Sequence, residues 1–166
     1  MIKCLALAAT LLATAAPALA LSCLPPDPMR LYTDAREAAE NFRVIHGRLT
    51  PQEPVRRLRP SRTTRGMAEL TIRANLTGVQ LGKGGFTSRV STPVNVRLVC
   101  FASWCGSFPE ADSYLMAVEE RGGTLTLTVD PCSTKLFATP SREQLEAVTL
   151  CHSKDRCPAS KTRPIR

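Results

Sequence analysis

The stretch that decides the fold of this chain runs from residue 68 to residue 81 and reads AELTIRANLTGVQL. Apolar side chains occupy every second position from Ala68 to Leu76, with polar ones between them, which is the period of a strand that buries one face. After Gly78 the apolar positions shift by one, to Val79 and Leu81. A glycine at such a shift predicts a β-bulge, which bends a strand around the corner of a barrel.

Four further segments show strand patterns, and turn residues separate them. The clearest is 124–130, where leucine and valine alternate with threonine and aspartate directly after a Gly-Gly turn. Each of the others is rich in apolar residues over strand length, and they cover 42–49, 94–100 and 113–120. Together with the stretch 68–81, these segments predict five strands.

Two short helices are expected to flank the strands. The first is predicted over 35–40, with Thr33 or Asp34 as its N-cap. The second follows Ser141, which has the spacing of a capping box with Gln144. Five half-buried strands between two short helices predict an all-β fold with short helices, most simply a five-stranded, disulfide-bonded, OB-like antiparallel β-barrel.

Residues 1–20 have the pattern of a secretory signal peptide: a basic start, an apolar run to Ala15 and an Ala-x-Ala ending at Ala20. We expect cleavage after Ala20 and a secreted or periplasmic protein, since the short Ala-rich leader is typical of bacteria. The alternative is a lipoprotein with Cys23 as its lipidated first residue, although Ala20 stands where that motif has a branched residue. The apolar run is shorter than the ~20 residues of a spanning helix, and no transmembrane segment is expected further on.

Without the leader the chain has the length of one domain, which we place over 21–157, followed by a basic tail over 158–166. The chain has 22 Lys and Arg against 14 Asp and Glu, a net charge of +8. In an exported protein this charge favours an acidic protein, an anionic polymer or an anionic surface as partner. Nucleic acid is not expected in that compartment.

The proline-containing segment 51–65 is rich in positively charged residues. One interpretation is an arm that contacts anions, and the other is a solvated connection in which like charges repel. The candidate contact residues in this segment are Arg56, Arg57, Arg59, Arg62 and Arg65.

No catalytic or metal-binding motif stands out. Residues 82–85 lack the Gly-Lys-Ser/Thr ending of a phosphate-binding loop. The Trp-Cys-Gly at 104–106 is similar to part of a thioredoxin site, but Phe108 stands where the second cysteine would be. His46 and His152 lie far apart and lack zinc-ligand spacing. We therefore expect no enzyme, no cofactor and no metal.

Six of the seven cysteines remain after the leader. In an exported chain they indicate an oxidising compartment and disulfide bonds. Six cysteines allow many pairings, so counting leaves the connectivity open. The six are Cys23, Cys100, Cys105, Cys132, Cys151 and Cys157.

Several short motifs follow one another in a recognisable order. They are Ser22-Cys23-Leu24-Pro25-Pro26-Asp27-Pro28, His46-Gly47, Trp104-Cys105-Gly106, Ser113-Tyr114-Leu115, Gly123-Thr124-Leu125 and Asp130-Pro131-Cys132-Ser133. Their order resembles the N-terminal domain of tissue inhibitors of metalloproteinases and the wider netrin-like family. That family opens with Cys-x-Cys and prolines and carries a Cys-Gly in mid-chain and a later Cys-Ser. The resemblance covers 23–133 and implies an OB-type barrel.

The resemblance also implies a set of disulfides. The family joins the second cysteine of Cys-x-Cys to the cysteine of Cys-Ser, which here gives Cys23–Cys132. It joins its first cysteine to the Cys-Gly, but Leu21 stands at that first position. Cys105 then lacks its usual partner, and Cys100 can take the place of that partner. The two remaining cysteines, Cys151 and Cys157, would then pair with each other.

Two functions follow as expectations. The first is non-catalytic binding of a protein or an acidic polymer through the arginine segment and the mature N-terminus, Leu21 and Ser22. The second is metalloprotease inhibition: in the family the free amino group and carbonyl of the first cysteine bind the protease zinc, and the next residue enters the specificity pocket. No bridge holds Leu21, and ordering a loose terminus costs about 1–2 kcal/mol per residue.

Overall fold

A computed structural model describes residues 23–53, 67–101, 104–155 and 157 of the chain. These residues form seven strands and two short helices, so the predicted mostly-β class is confirmed. In chain order the elements are α1 (Pro28–Glu37), β1 (Phe42–Pro51), β2 (Met67–Gly82), β3 (Gly85–Phe101), β4 (Trp104–Cys105), β5 (Tyr114–Arg121), β6 (Thr124–Val129), β7 (Leu136–Ala138) and α2 (Arg142–Lys154).

Five of the strands pair in a closed ring, in the order β1, β2, β3, β6, β5 and back to β1. Four junctions are antiparallel, as predicted, but β3 and β6 run parallel. Strand directions can alternate around a closed ring only when the number of strands is even. A ring of five therefore contains at least one parallel junction, and the prediction of antiparallel pairing throughout is wrong at this one.

One apolar cluster fills the inside of the ring, and all five ring strands contribute to it. From β2 it receives Ile72, Ala74 and Leu76, none of them more than 5% exposed. The residues between them, such as Arg73 and Asn75, are exposed. The alternation in the stretch 68–76 therefore corresponds to an inner and an outer face, as predicted.

A second apolar cluster lies outside the ring, where α1 packs on β1 and β5 and α2 packs on α1, β2 and β3. It includes Leu31 and Tyr32 from α1, Val148 from α2 and Leu115 from β5. Met116, the next residue of β5, belongs to the inner cluster, and both Leu115 and Met116 are 0% exposed. Since β5 is buried on both faces, it forms the centre of the packed part of the molecule.

Helix α1 begins earlier than the predicted 35–40. Its N-cap is Asp27, whose carboxylate accepts hydrogen bonds from the backbone N–H groups of Met29 and Arg30 at 2.7 and 3.2 Å. Pro28 occupies the first helical position, where its missing N–H has no partner to lose and its restricted φ suits a helix. The prolines at 25, 26 and 28 therefore lead directly into this helix, which starts at Pro28.

The bulge predicted at Gly78 lies two residues further along. The register of β2 against β3 shifts between Gln80 and Leu81, whereas Gly78 pairs with Gly47 of β1. A Cβ on Gly47 would stand 2.2 Å from the carbonyl oxygen of Thr77. Glycine is required at this crossing because the two strand backbones approach too closely for a side chain.

Helix α2 has the predicted capping box. The N–H of Gln144 donates to the Ser141 hydroxyl at 3.2 Å, and the N–H of Ser141 donates to the Gln144 side chain at 2.8 Å. Further along, the Tyr32 hydroxyl lies 3.1 Å from the ring Nδ1 of His152, which links α2 to α1. The two helices thus form one layer against the ring.

The strand registers give the ring two distinct ends. At the loop end, β1 and β3 finish while β2 and β5 begin, and β6 finishes beside β3 because these two strands are parallel. At the hairpin end, tight turns join β2 to β3 and β5 to β6. The residues that define the loop end are Pro51, Met67, Phe101, Tyr114 and Val129.

Candidate functional site

Three cysteine pairs lie at disulfide distance. They are Cys23–Cys132, Cys100–Cys105 and Cys151–Cys157, with Cα atoms 5.2, 3.9 and 4.3 Å apart. These are the pairs that the resemblance implied, and the prediction of a disulfide-bonded chain is confirmed. Disulfides of this number indicate an oxidising environment.

The Cys23–Cys132 bridge holds the start of the described chain against the loop end. Residues 23–27 lie along a groove of about 280 Å³, whose other wall includes Ser133 and Phe137. A guanidinium nitrogen of Arg30 donates to the Pro25 carbonyl at 3.4 Å, which joins the segment to the first turn of α1. Leu24 is 56% exposed, so this anchored segment presents an apolar side chain to solvent.

The Cys100–Cys105 bridge joins β3 to β4, and these two strands pair at the loop end. Phe101 and Trp104 are register partners there and are 42% and 46% exposed. Gly106, just beyond, would place a Cβ 2.0 Å from the carbonyl oxygen of Val129. This close approach fixes the strand pair against the end of β6, and the loop end therefore carries anchored aromatic side chains.

The outward side chains of β1, β2 and β3 beyond the helix layer form a third surface, which we call the basic sheet face. Its residues alternate with the inward apolar ones and most are exposed. They are His46, Arg48 and Thr50 on β1, Glu69, Thr71, Arg73, Asn75 and Thr77 on β2, and Arg89, Ser91, Asn95 and Arg97 on β3.

The charge of this face is strongly one-sided. Glu69 is the one acidic residue on the three strands, and its carboxylate lies 3.8 Å from the guanidinium of Arg97. Arg97 also donates to the Thr128 hydroxyl, and these bonds hold the Arg97 side chain against β6. Arg73 and Arg89 form no ion pair or hydrogen bond through their side chains with any described residue. Their charges are therefore available to an external anion.

A polar cluster lies at the edge of the basic sheet face, where residues 112–113 lead into β5. The ring Nε2 of His46 is 3.2 Å from the Ser113 hydroxyl, and Nε of Arg48 donates to the Asp112 carbonyl at 3.0 Å. Burial lowers the pKa of His46 below its ordinary value of 6.5, because a buried ring is costly to charge. A histidine beside a serine could act as a general base, but no described residue forms a hydrogen bond with the other ring nitrogen. The ring also contacts Phe86, with the two ring centroids 6.2 Å apart.

The structure tests none of the predicted contact residues. Leu21 and Ser22 lie outside the described residues, as do the arginines of the segment 51–65, which are Arg56, Arg57, Arg59, Arg62 and Arg65. Their described neighbours, Cys23, Glu53 and Met67, lie at or next to the loop end. They stay predictions.

Sequence reasoning missed the arginines of the basic sheet face. Each stands at a polar position of an alternating strand, so its outward direction is visible in the pattern. Their assembly into one surface is not, because it depends on which residues of neighbouring strands lie side by side. The four are Arg48, Arg73, Arg89 and Arg97.

Across 23–53, 67–101, 104–155 and 157, no three His, Cys, Asp or Glu side chains come together as a possible metal site. His46 and His152 belong to different clusters, one at the edge of the basic sheet face and one on α2. No helix in the same residues is long and apolar enough to cross a bilayer.

Comparison with family models, with curated proteins and with solved structures found no match to this chain.

Proposed function

We propose that this chain is an exported, non-catalytic binding module whose partner is an acidic polymer. The observation that carries the proposal is the basic sheet face, with four arginines against one glutamate on three neighbouring strands. A surface of one sign attracts polyanions and accelerates their association. Single exposed ion pairs contribute little, so useful affinity requires several contacts at once, which a repeating polymer provides.

The composition of the face favours a polymer over a folded protein. Protein interfaces draw most of their binding energy from a few anchors in desolvated pockets. The basic sheet face instead places Thr71, Asn75, Thr77 and Ser91 between its arginines. Hydroxyl and amide groups beside cations suit a hydroxyl-rich chain with sulfate or phosphate esters.

The proposal includes an OB-like barrel. Strands β1, β2 and β3 are consecutive neighbours, and β5, the fourth strand of the ring, returns to lie beside β1. That is the Greek-key order, and β6 then closes the ring. OB-folds are five-stranded Greek-key barrels that bind oligosaccharides and oligonucleotides, so strand order supports the proposed fold.

Membership of the netrin-like family and export through a cleaved leader are part of the same proposal. The Cys23–Cys132 pair supports the kinship because it is the bridge that the motif order implied. The three cysteine pairs support export, since such bonds persist in oxidising compartments. Intact mass of the exported protein, without reduction, would report the cleavage site, any lipid on Cys23 and the number of bridges.

The direct test is retention of the mature protein on immobilised heparin, with an uncharged dextran matrix as control. We expect binding at low ionic strength that weakens steeply as salt is added, because released counterions drive such binding. The triple variant Arg56→Ala, Arg57→Ala, Arg59→Ala should elute at lower salt if the arginine segment contributes. Absence of salt-sensitive retention on heparin and on polyphosphate resins would overturn the proposed function.

Metalloprotease inhibition remains the second candidate, and one observation favours it. Cys23 is bridged to Cys132, and the anchored segment after it exposes Leu24 beside the groove at the loop end. A rigid start next to a free Leu21 amine reduces the ordering cost of binding. Titration of zinc proteases with protein of verified N-terminus tests this, and adding one residue before Leu21 should abolish inhibition. Unchanged protease activity at micromolar protein would exclude it.

A further inference from the structure

The basic sheet face contains a groove in which outward side chains, all but one of them polar, form two lateral rows across three strands. The rows follow from the registers of β1 with β2 and of β2 with β3. They lie beside the Gly47–Gly78 crossing, where the absence of side chains lets the strands approach closely. One row is His46, Val79 and Arg89, and the other is Arg48, Thr77 and Ser91.

The rows place two cations at opposite corners of the groove. Arg48 is on β1 and Arg89 on β3, so their backbones are two strand spacings apart, or about 10 Å across the sheet. They also belong to different rows, which adds about 7 Å along the strands. The groove has a volume of about 630 Å³, and no acidic side chain lines it.

The two arginines differ in how they are held. Nε of Arg48 donates to the Asp112 carbonyl, which keeps its guanidinium on the side of β1 that faces away from β3. Its terminal nitrogens have no hydrogen-bond partner among the described residues, and Arg89 is exposed and likewise unpaired there. The geometry therefore offers two separate anion contacts and does not form one clamp around a single ion.

We infer that this groove is the subsite at which two successive sulfate or phosphate groups of a polyanionic chain bind, one at Arg48 and one at Arg89. The chain would lie across β1, β2 and β3, with the hydroxyls of Thr77, Ser91 and Ser113 along its path. This inference rests on the proposed function and adds the location and the spacing of the bound groups. Guanidinium donates two parallel hydrogen bonds to such oxyanions, which lysine cannot do.

The test compares two double variants of the mature protein with the same change in net charge. One is Arg48→Ala, Arg89→Ala. The control is Arg121→Ala, Arg142→Ala, since both of these side chains are more than 80% exposed and lie outside the basic sheet face. Binding to a heparin octasaccharide and, in a separate arm, to polyphosphate of similar length is measured by calorimetry over a range of salt.

We expect the groove variant to lose about tenfold or more in affinity and the control less than about threefold. The salt slope should fall by about 1.5 for the groove variant, because two counterion-releasing contacts disappear. The two arms separate the sources: loss confined to heparin assigns a sulfated chain, and loss confined to polyphosphate a phosphorylated one. The pair Arg48→Lys, Arg89→Lys should recover the salt slope but only part of the affinity.

Equal losses in the groove and control variants would overturn the subsite and leave the proposed function standing, since binding would then follow net charge alone. The same holds if the groove variant binds as well as the wild type. Tight binding of inorganic sulfate, undiminished in either single variant, would also overturn it. If the wild-type protein binds neither polymer, both the subsite and the proposed function fail.

Discussion

Strand β1 passes through two surroundings on a single outer face. Val44, near its start, is 8% exposed because the helix layer covers it. Arg48, four residues later on the same face, is exposed beside Thr77. Strand, face and parity are the same, so the difference comes from the helices. Where they stop, the outward residues change from apolar to basic.

The comparison shows how one short domain combines stability with recognition. The covered region around β5 has apolar side chains on both faces and provides the packing. The open region needs only its inner face for stability, which leaves its outer residues free to bind. Changes in the covered region should therefore lower the free energy of unfolding, and changes in the open region should alter affinity alone.

The largest effect on stability is expected from the bridge that leads into the covered region. The double variant Cys23→Ser, Cys132→Ser should lower the free energy of unfolding by about 4–5 kcal/mol, because the bridge spans 109 residues and a long loop gains much entropy when released. Urea unfolding without reductant measures it. The double variant Cys100→Ser, Cys105→Ser, with a separation of 5 residues, is the matched comparison and should cost about 2 kcal/mol. Equal costs would contradict the loop-length argument.

The next largest effect on stability is expected from a core truncation, which compares the covered and open regions directly. Leu115→Ala should cost about 2–5 kcal/mol, since the side chain is fully buried beneath the helices and leaves a cavity. Thr71→Ala on the open region is the control and should change stability by less than about 0.5 kcal/mol. The midpoints of urea unfolding give both values. A similar cost for the two variants would show that the open face is also packed.

A smaller effect on stability is expected at the N-terminus of α1, in the helix layer. Asp27→Ala removes the carboxylate that accepts from Met29 and Arg30, and it should cost about 1 kcal/mol. Asp27→Asn should retain most of the stability, because asparagine is an equally good N-cap. Thermal unfolding compares the two. If both variants lose stability equally, the charge of Asp27 matters more than its capping bond.

The smallest effect concerns His46, at the border between the two regions. Burial holds its folded pKa below the unfolded value, so the unfolded state binds more protons between these two pKa values. Its contribution to stability is present above the unfolded pKa near 6.5 and is lost as the pH falls through the folded pKa. His46→Gln should flatten this part of the stability profile, measured by urea unfolding at successive pH values.

A matched variant identifies the cause of that pH dependence. Ser113→Ala removes the hydroxyl 3.2 Å from the His46 ring but leaves the ring buried. Since burial lowers the pKa, the slope of stability against pH should persist in this variant. Loss of the slope in Ser113→Ala would show that the hydrogen bond, and not burial, sets the pKa of His46.

Much of the fold was visible in local patterns. Alternation over 68–76 identified the inner face of β2, and the spacing of Ser141 and Gln144 identified the capping box of α2. Such signals depend on residues close in sequence, for which side-chain direction follows from strand and helix geometry. The same reasoning misplaced the bulge. Position 78 needs a glycine because the backbone at Gly47 lies close to it across the sheet, and not because of its neighbours in sequence.

The candidate site was much less visible. The predicted contacts at Leu21, Ser22 and the arginine segment lie outside the described residues, so they stay predictions. The exposed Phe101 and Trp104 would be expected in a core by composition alone, and the short β3–β4 pairing places them at the loop end instead. Exposure of an apolar residue is a property of the surrounding packing, which no local pattern contains.

By itself, the sequence determined which residues face inward, where α2 begins, and that six cysteines belong to an oxidising compartment. These properties follow from local periodicity, capping chemistry and redox chemistry. Only the tertiary structure decided the parallel junction of β3 with β6, the crossing at Gly47 and Gly78, and the alignment of Arg48 with Thr77 and Ser91. The physical reason is that register and ring closure join residues far apart along the chain, and a shift of one residue would turn every side chain to the other face.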